Sequence, residues 1–230
     1  MKLWTGWVVI VLVASLALAG CGKKEGSGSV GVDQSSAKAT METIARAFKA
    51  HDGQAMAACL PPEYKDTMGP TFVAMMDMMT KVDSMKKAAQ AKFGKEAADK
   101  ALKGLPAEKA SKYGPAGEGI NEDGTVDWNK VKVTENGDTA TIETNGKPSK
   151  ETLKKIDGKW CMALEGMTPE KAKKEAEQGK KMMTVLGNAY ADVEKQVKDG
   201  TIAKAEDLQK ALNDTMMKVM TEAMKDATAN

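Results

Sequence analysis

The side chains able to do chemistry are few and unevenly spread. Three cysteines (Cys21, Cys59 and Cys161), a single histidine (His51) and 17 methionines hold the sulfur and imidazole of the 230-residue chain. His51 stands beside Asp52-Gly53 at the expected end of a helix, where a favourable contact with the helix dipole accounts for it without catalysis. Tyr64, Tyr113 and Tyr190 could each line a pocket, but a buried phenol with a satisfied hydroxyl is the simpler account. No Ser-His-Asp order, phosphate-cradling glycine loop or His-rich metal spacing occurs. No catalytic, cofactor-binding or metal-ligating residue is therefore assigned.

Two spacings raise the question of a metal. Asn121, Asp123, Gly124 and Val126 fall on the third, fifth, sixth and eighth places of an EF-hand-type loop. Its first place would be Gly119 and its last Lys130, so a carboxylate is missing at one end and a cation stands at the other. A polar turn is the expectation there. The methionines cluster at Met75, Met76, Met78, Met79 and Met85, and again at Met216, Met217, Met220 and Met224. Thioethers suit Cu(I). Neighbouring helical residues point about 100° apart, which leaves Met75 with Met79 and Met216 with Met220 as close partners, both on apolar stripes. Core filling is the expectation, with copper binding as an alternative.

The N-terminus locates the chain. Met1 and Lys2 precede an apolar run from Val8, too short to span a bilayer comfortably, that closes on Leu18-Ala19-Gly20-Cys21 before the composition turns polar. That box resembles the lipobox of bacterial lipoproteins. The resemblance implies a signal peptide over 1–20, acylation of Cys21 and a protein held on a membrane of the cell envelope, facing the periplasm or the exterior. Residues 21–35 then form the anchor and a Gly/Ser-rich tether reaching about 20 Å as a coil. Lys23 and Lys24 beside the anchor could touch anionic headgroups. In an oxidising compartment Cys59 and Cys161 form a natural disulfide pair. The formal net charge of +2, with 34 basic against 32 acidic residues, argues against nucleic acid as a partner.

The remaining elements follow from periodicity. Ser36 caps a helix carrying Met41, Ile44, Ala45 and Phe48, a short helix runs from Gln54 to Leu60, and Thr71 opens a long one that is interrupted at Gly94. Asn136-Gly137, Asn145-Gly146 and Asp157-Gly158 punctuate a four-stranded antiparallel meander from about Trp128 to Leu164. Two-residue loops would pair Val133 with Ala140, Val131 with Ile142 and Leu153 with Met162, putting the apolar residues on one face with Trp160 and Leu164. Cys161 then falls on the opposite, polar face, which sets the register against the disulfide. Thr168-Pro169-Glu170 starts a helix to Asp199-Gly200, and a second, carrying Ile202 to Ala223, makes a helical hairpin over 167–230.

Helix, short helix with Ala50 to Tyr64, longer helix and a meander ending at Asp157 to Leu164 is similar to the cone-shaped α+β fold of nuclear transport factor two, ketosteroid isomerase and scytalone dehydratase. The resemblance implies a domain over 36–166 in which N-terminal helices pack on a curved sheet and enclose a pocket. The fold class is thus α+β, with a C-terminal αα-hairpin outside the family pattern. The leading expectation is a non-enzymatic envelope lipoprotein binding a small apolar ligand or a protein partner, with no cofactor and open to homodimerisation through the hairpin. An isomerase- or dehydratase-like enzyme and a methionine-rich copper protein are the alternatives.

Overall fold

The computed structural model describes residues 30–103, 119–121 and 123–228. Helix α1, Ala37–Lys49, begins where Ser36 is extended and its hydroxyl accepts from the Ala39 amide. Its periodic face of Met41, Ile44, Ala45 and Phe48 is buried. At the far end the Asp52 amide donates to the Ala47 carbonyl at 2.7 Å and the His51 amide to the Phe48 carbonyl at 3.1 Å. This paired cap places His51 at φ 54, the left-handed position that glycine usually fills. Asp52 at once caps α2, Gly53–Ala58, accepting from the Gln54 and Ala55 amides.

The long helix α3 spans Pro62–Phe93 and so begins at Pro62 instead of Thr71. Proline is suited to the first turn, where no helical partner for its missing N–H is required. Pro70 is carried inside the helix at the loss of one backbone bond, the one that would reach the Asp66 carbonyl. Gly94, at φ 84, separates α3 from α4, Lys95–Leu102.

Strands β1 (Val131–Asn136), β2 (Thr139–Thr144), β3 (Lys147–Ile156) and β4 (Lys159–Met162) form one antiparallel sheet in that order. Asn145-Gly146 and Asp157-Gly158 turn with positive φ at both residues. The first hairpin departs from expectation, because Val133 faces Ile142 and Val131 faces Thr144. Its turn is Gly137-Asp138, with positive φ at Gly137 alone, the pattern in which glycine takes the first central place. The Thr139 hydroxyl closes it on the Asn136 carbonyl at 3.0 Å. A shift of two positions keeps every residue on its face, so Val131, Ala140, Ile142, Leu153, Trp160 and Met162 are still buried together. Leu153 faces Met162 as expected.

The outer edge of β4 is not left open. The Trp160 amide donates to the Gln34 carbonyl at 3.0 Å and the Met162 amide to the Cys59 carbonyl at 2.8 Å. Cys161 is consequently 2% exposed although the register puts it on the face away from Trp160, and the cover comes from the β4 edge.

Helix α5, Pro169–Asp199, is capped by Thr168 and closed by Gly200 at φ 92; α6 spans Ala205–Thr228. Ile202, expected on α6, is buried in the turn before it. Helix α5 lies along α3, where the Thr71 hydroxyl donates to the Ala176 carbonyl at 3.0 Å, Ser84 to Glu194 at 2.9 Å and the Lys92 ammonium to the Val197 carbonyl at 2.7 Å. Two cores result. One gathers α1, α2, the sheet and the first halves of α3 and α5 around Trp160, Phe48, Met56 and Met76. The other joins Val82, Met85 and Ala89 of α3 to Leu102 of α4, Tyr190 and Val193 of α5 and Leu208 and Leu212 of α6. The molecule is therefore mixed helix and antiparallel sheet, with helices at both ends.

Candidate functional site

Helix α3 is flanked by α2 and α5, and the closeness of each contact is set by glycine. A Cβ on Gly53 would lie 2.5 Å from the Val73 Cα, and one on Gly179 would lie 3.0 Å from the Thr71 Cγ2. Gly187 is the third such point, where a Cβ would meet the Lys81 Cδ at 3.2 Å. Between these contacts the three helices leave an open groove of about 710 Å³. Ala57, Pro70, Val73, Met78 and Met183 give it apolar walls, while Lys65, Lys81, Lys180, Asp66 and Asp77 bring charge to it. The Lys81 ammonium is held by the Asn188 side-chain oxygen at 3.1 Å. Three cations against two carboxylates suit a ligand with an apolar body and an anionic end.

The face of the sheet, where the cone resemblance implies a pocket, is filled by side chains. Trp160, Phe48, Met41, Ile44 and Met56 are all at most 2% exposed. Space for a ligand lies on the helical side instead.

Cys21 lies outside the described residues, as does Tyr113. The Tyr64 hydroxyl donates to the Met167 carbonyl at 2.6 Å. Tyr190 is buried in the second core, which pushes its phenol up to about 12. Met75, Met76 and Met79 belong to the first core and Met85 to the second. Met78 faces the groove, Met216 packs partly on the second core, Met217 is exposed, and the side chains of Met220 and Met224 are outside the described residues. The segment from Gly119 spends its polar groups internally, since the Asp123 carboxylate accepts from the Thr125 amide at 2.9 Å and hydroxyl at 2.6 Å. Among the described residues no group of three His, Cys, Asp or Glu gathers as a metal site would require.

His51 keeps closer company than the sequence shows. Its Nδ1 lies 3.3 Å from the Thr80 hydroxyl and its Nε2 3.9 Å from the Asp83 carboxylate. Burial holds the imidazole below its ordinary value against the pull of Asp83, with Lys49 and Lys87 adding to the depression. Burial raises Asp83 in turn, opposed by His51, Lys87, Lys49 and Lys86. The Asp83 Oδ1 is buried without a hydrogen-bond partner among the described residues. Asp83 and the groove lysines were missed because they sit inside ordinary helical patterns; Pro70 within α3 is the signal that could have marked the groove.

Cys59 and Cys161 come together at the corner between α2 and α3, both as free, buried thiols. The Gln34 amide nitrogen is 3.6 Å from the Cys161 sulfur. Compared with protein-family models, curated proteins and solved structures, the chain matches none.

Proposed function

We propose that the chain is a lipid-anchored envelope protein whose folded part is a non-enzymatic binding module. It takes a small amphipathic molecule, apolar with an anionic end, in the groove between α2, α3 and α5. The groove carries this reading, because its apolar walls and excess of lysines lie together on an open surface. The Leu18-Ala19-Gly20-Cys21 box supports the anchor, and the tether would enter the folded part at Val30, whose amide donates to the Asp52 carboxylate beside Gln54 at the groove. The element order over 36–166 supports placing that part with the cone-shaped class, here with a filled interior. An isomerase-like reading would draw on the raised Asp83, but that carboxylate faces His51 and is not among the groove's walls.

Native mass spectrometry of the protein from Gly22 onward, purified gently without added metal, tests the reading. Extra mass that leaves on denaturation and is absent from a Lys65→Glu, Lys180→Glu variant is expected. An apo mass that stays unchanged after incubation with fatty acids, acyl phosphates and bile-acid-like anions would sink it.

A further inference from the structure

We infer that Cys59 and Cys161 are the two ends of an intramolecular disulfide that ties the α2–α3 corner to the outer edge of β4. The backbone already makes the joint. The Met162 amide donates to the Cys59 carbonyl at 2.8 Å, so the residue before Met162 is carried alongside Cys59. With standard backbone lengths that bond limits the two Cα atoms to about 7.6 Å at full stretch, and a bend of about 60° at the carbonyl brings them into the span of roughly 4.4–6.8 Å that disulfides bridge. Lys154 pairs with Cys161 on the inner side of β4, and Gln34 holds the Trp160 carbonyl at 2.6 Å on the outer side, so the strand cannot slide out of this register cheaply.

Both side chains are enclosed. Cys59 is 0% and Cys161 2% exposed. Burial pushes the Cys59 thiol up to about 12, and a charge on Cys161 adds to the rise. Burial raises Cys161 as well, against Lys65. Cys59 approaches Cys161 at the edge of the sheet, from the α2–α3 corner, through the backbone bond that its carbonyl accepts from Met162.

The chemistry is exchange with a disulfide oxidant. One cysteine thiolate attacks a sulfur of the external disulfide, expelling one thiolate and leaving a mixed disulfide. The second cysteine then attacks the cysteine sulfur of that intermediate and expels the other thiolate. Two cysteine S–H groups are oxidised, one external disulfide is reduced to two thiols, and the cysteine protons end on those thiols. A thiol raised so far and closed from solvent is a poor nucleophile, so the bond forms while the corner is still open during folding.

The full chain carrying Cys21→Ser, which removes the third thiol, would be reduced and unfolded in detergent, then refolded in mixed reduced and oxidised glutathione and digested without reduction. The expected product is a single peptide pair joining Cys59 to Cys161, two hydrogens lighter than the reduced chain and free of glutathione. Two free thiols, or glutathione on either cysteine, in the refolded protein would overturn the inference. Oxidised glutathione added to the already folded, reduced chain should react at least about 100-fold more slowly than with the unfolded chain. Rapid reaction there would show an open corner and overturn it too. Because the oxidant is supplied in the refolding buffer, the result does not depend on the envelope reading.

Discussion

Two glycines at the junction of α2 and α3 make opposite demands, and exchanging each for alanine measures how that junction is built. A Cβ on Gly53 would come within 2.5 Å of the Val73 Cα, 3.0 Å of its nitrogen and 3.1 Å of the Phe72 carbonyl oxygen. All three are backbone atoms of α3, which cannot turn aside, so α2 has to retreat by about 1 Å to reach ordinary contact. Overpacking of this kind costs roughly 1–3 kcal/mol. Gly69, on α3, points its missing Cβ at the Ala57 Cβ, 3.3 Å away. That contact asks for a few tenths of an ångström, while alanine in a helix interior gains up to about 1 kcal/mol over glycine. Gly53→Ala is therefore expected to lower stability by about 2 kcal/mol, or roughly 4–8 °C in melting temperature for a chain of this size, and Gly69→Ala to leave it level or raised. Calorimetric melts of the two variants beside the parent read the difference. Equal stability of Gly53→Ala and the parent, or a larger loss for Gly69→Ala, would refute the packing argument.

The His51–Asp83 pair makes stability depend on pH in two opposed ways. His51 is depressed in the folded state, so below 6.5 the unfolded chain binds the extra proton and stability falls with pH until the folded imidazole titrates as well. Asp83 is raised, so its burdened carboxylate destabilises most above its folded value, and the loss fades as pH drops toward 3.8. Asp83→Asn should raise the denaturant midpoint at about pH 8 and lose that advantage in acid, and a variant no more stable at either pH would count against the desolvation account. His51→Asn, which tolerates the left-handed backbone, should flatten the fall below 6.5. Met75→Leu, Met79→Leu should cost under about 1.5 kcal/mol and leave Cu(I) affinity as it was, whereas loss of a measured affinity would favour the copper reading. An inhibitor of lipoprotein signal peptidase should accumulate the precursor, and normal processing in its presence would remove the anchor reading of Cys21.

What could be read from the sequence was local. Ser36 as a cap, the two Asn-Gly and Asp-Gly turns at 145 and 157, the Leu153–Met162 pairing and the extent of α5 all depend on residues a few places apart, and all recur in the structure. Pro61-Pro62 can stop one helix or start the next, and only the contacts of Tyr64 and Met68 with the first core decide between them. Gly137 could serve as the second residue of one turn or the first of another, and the sheet register chose. The groove needs α2, α3 and α5 side by side, and no periodicity within a single helix reports that.

The sharing of α3 and α5 between both cores has a thermodynamic consequence that the groove makes measurable. A cone domain over 36–166 and a hairpin over 167–230 that folded apart would melt apart. Here Met76 and Met85 lie on one continuous helix but in different cores, as do Met183 and Tyr190 on another, so neither core can open without fraying a helix the other needs. The protein from Gly22 onward retains Trp128 and Trp160 as its tryptophans, both on the sheet side, while far-ultraviolet dichroism is dominated by the helices. Denaturation followed by the two signals should give coincident transitions. A groove ligand at 100 times its Kd should then move both together by about 2.7 kcal/mol. Separate transitions, or a ligand that shifts only the tryptophan signal, would mean that the two cores are independent and that the helices shared between them do not couple them.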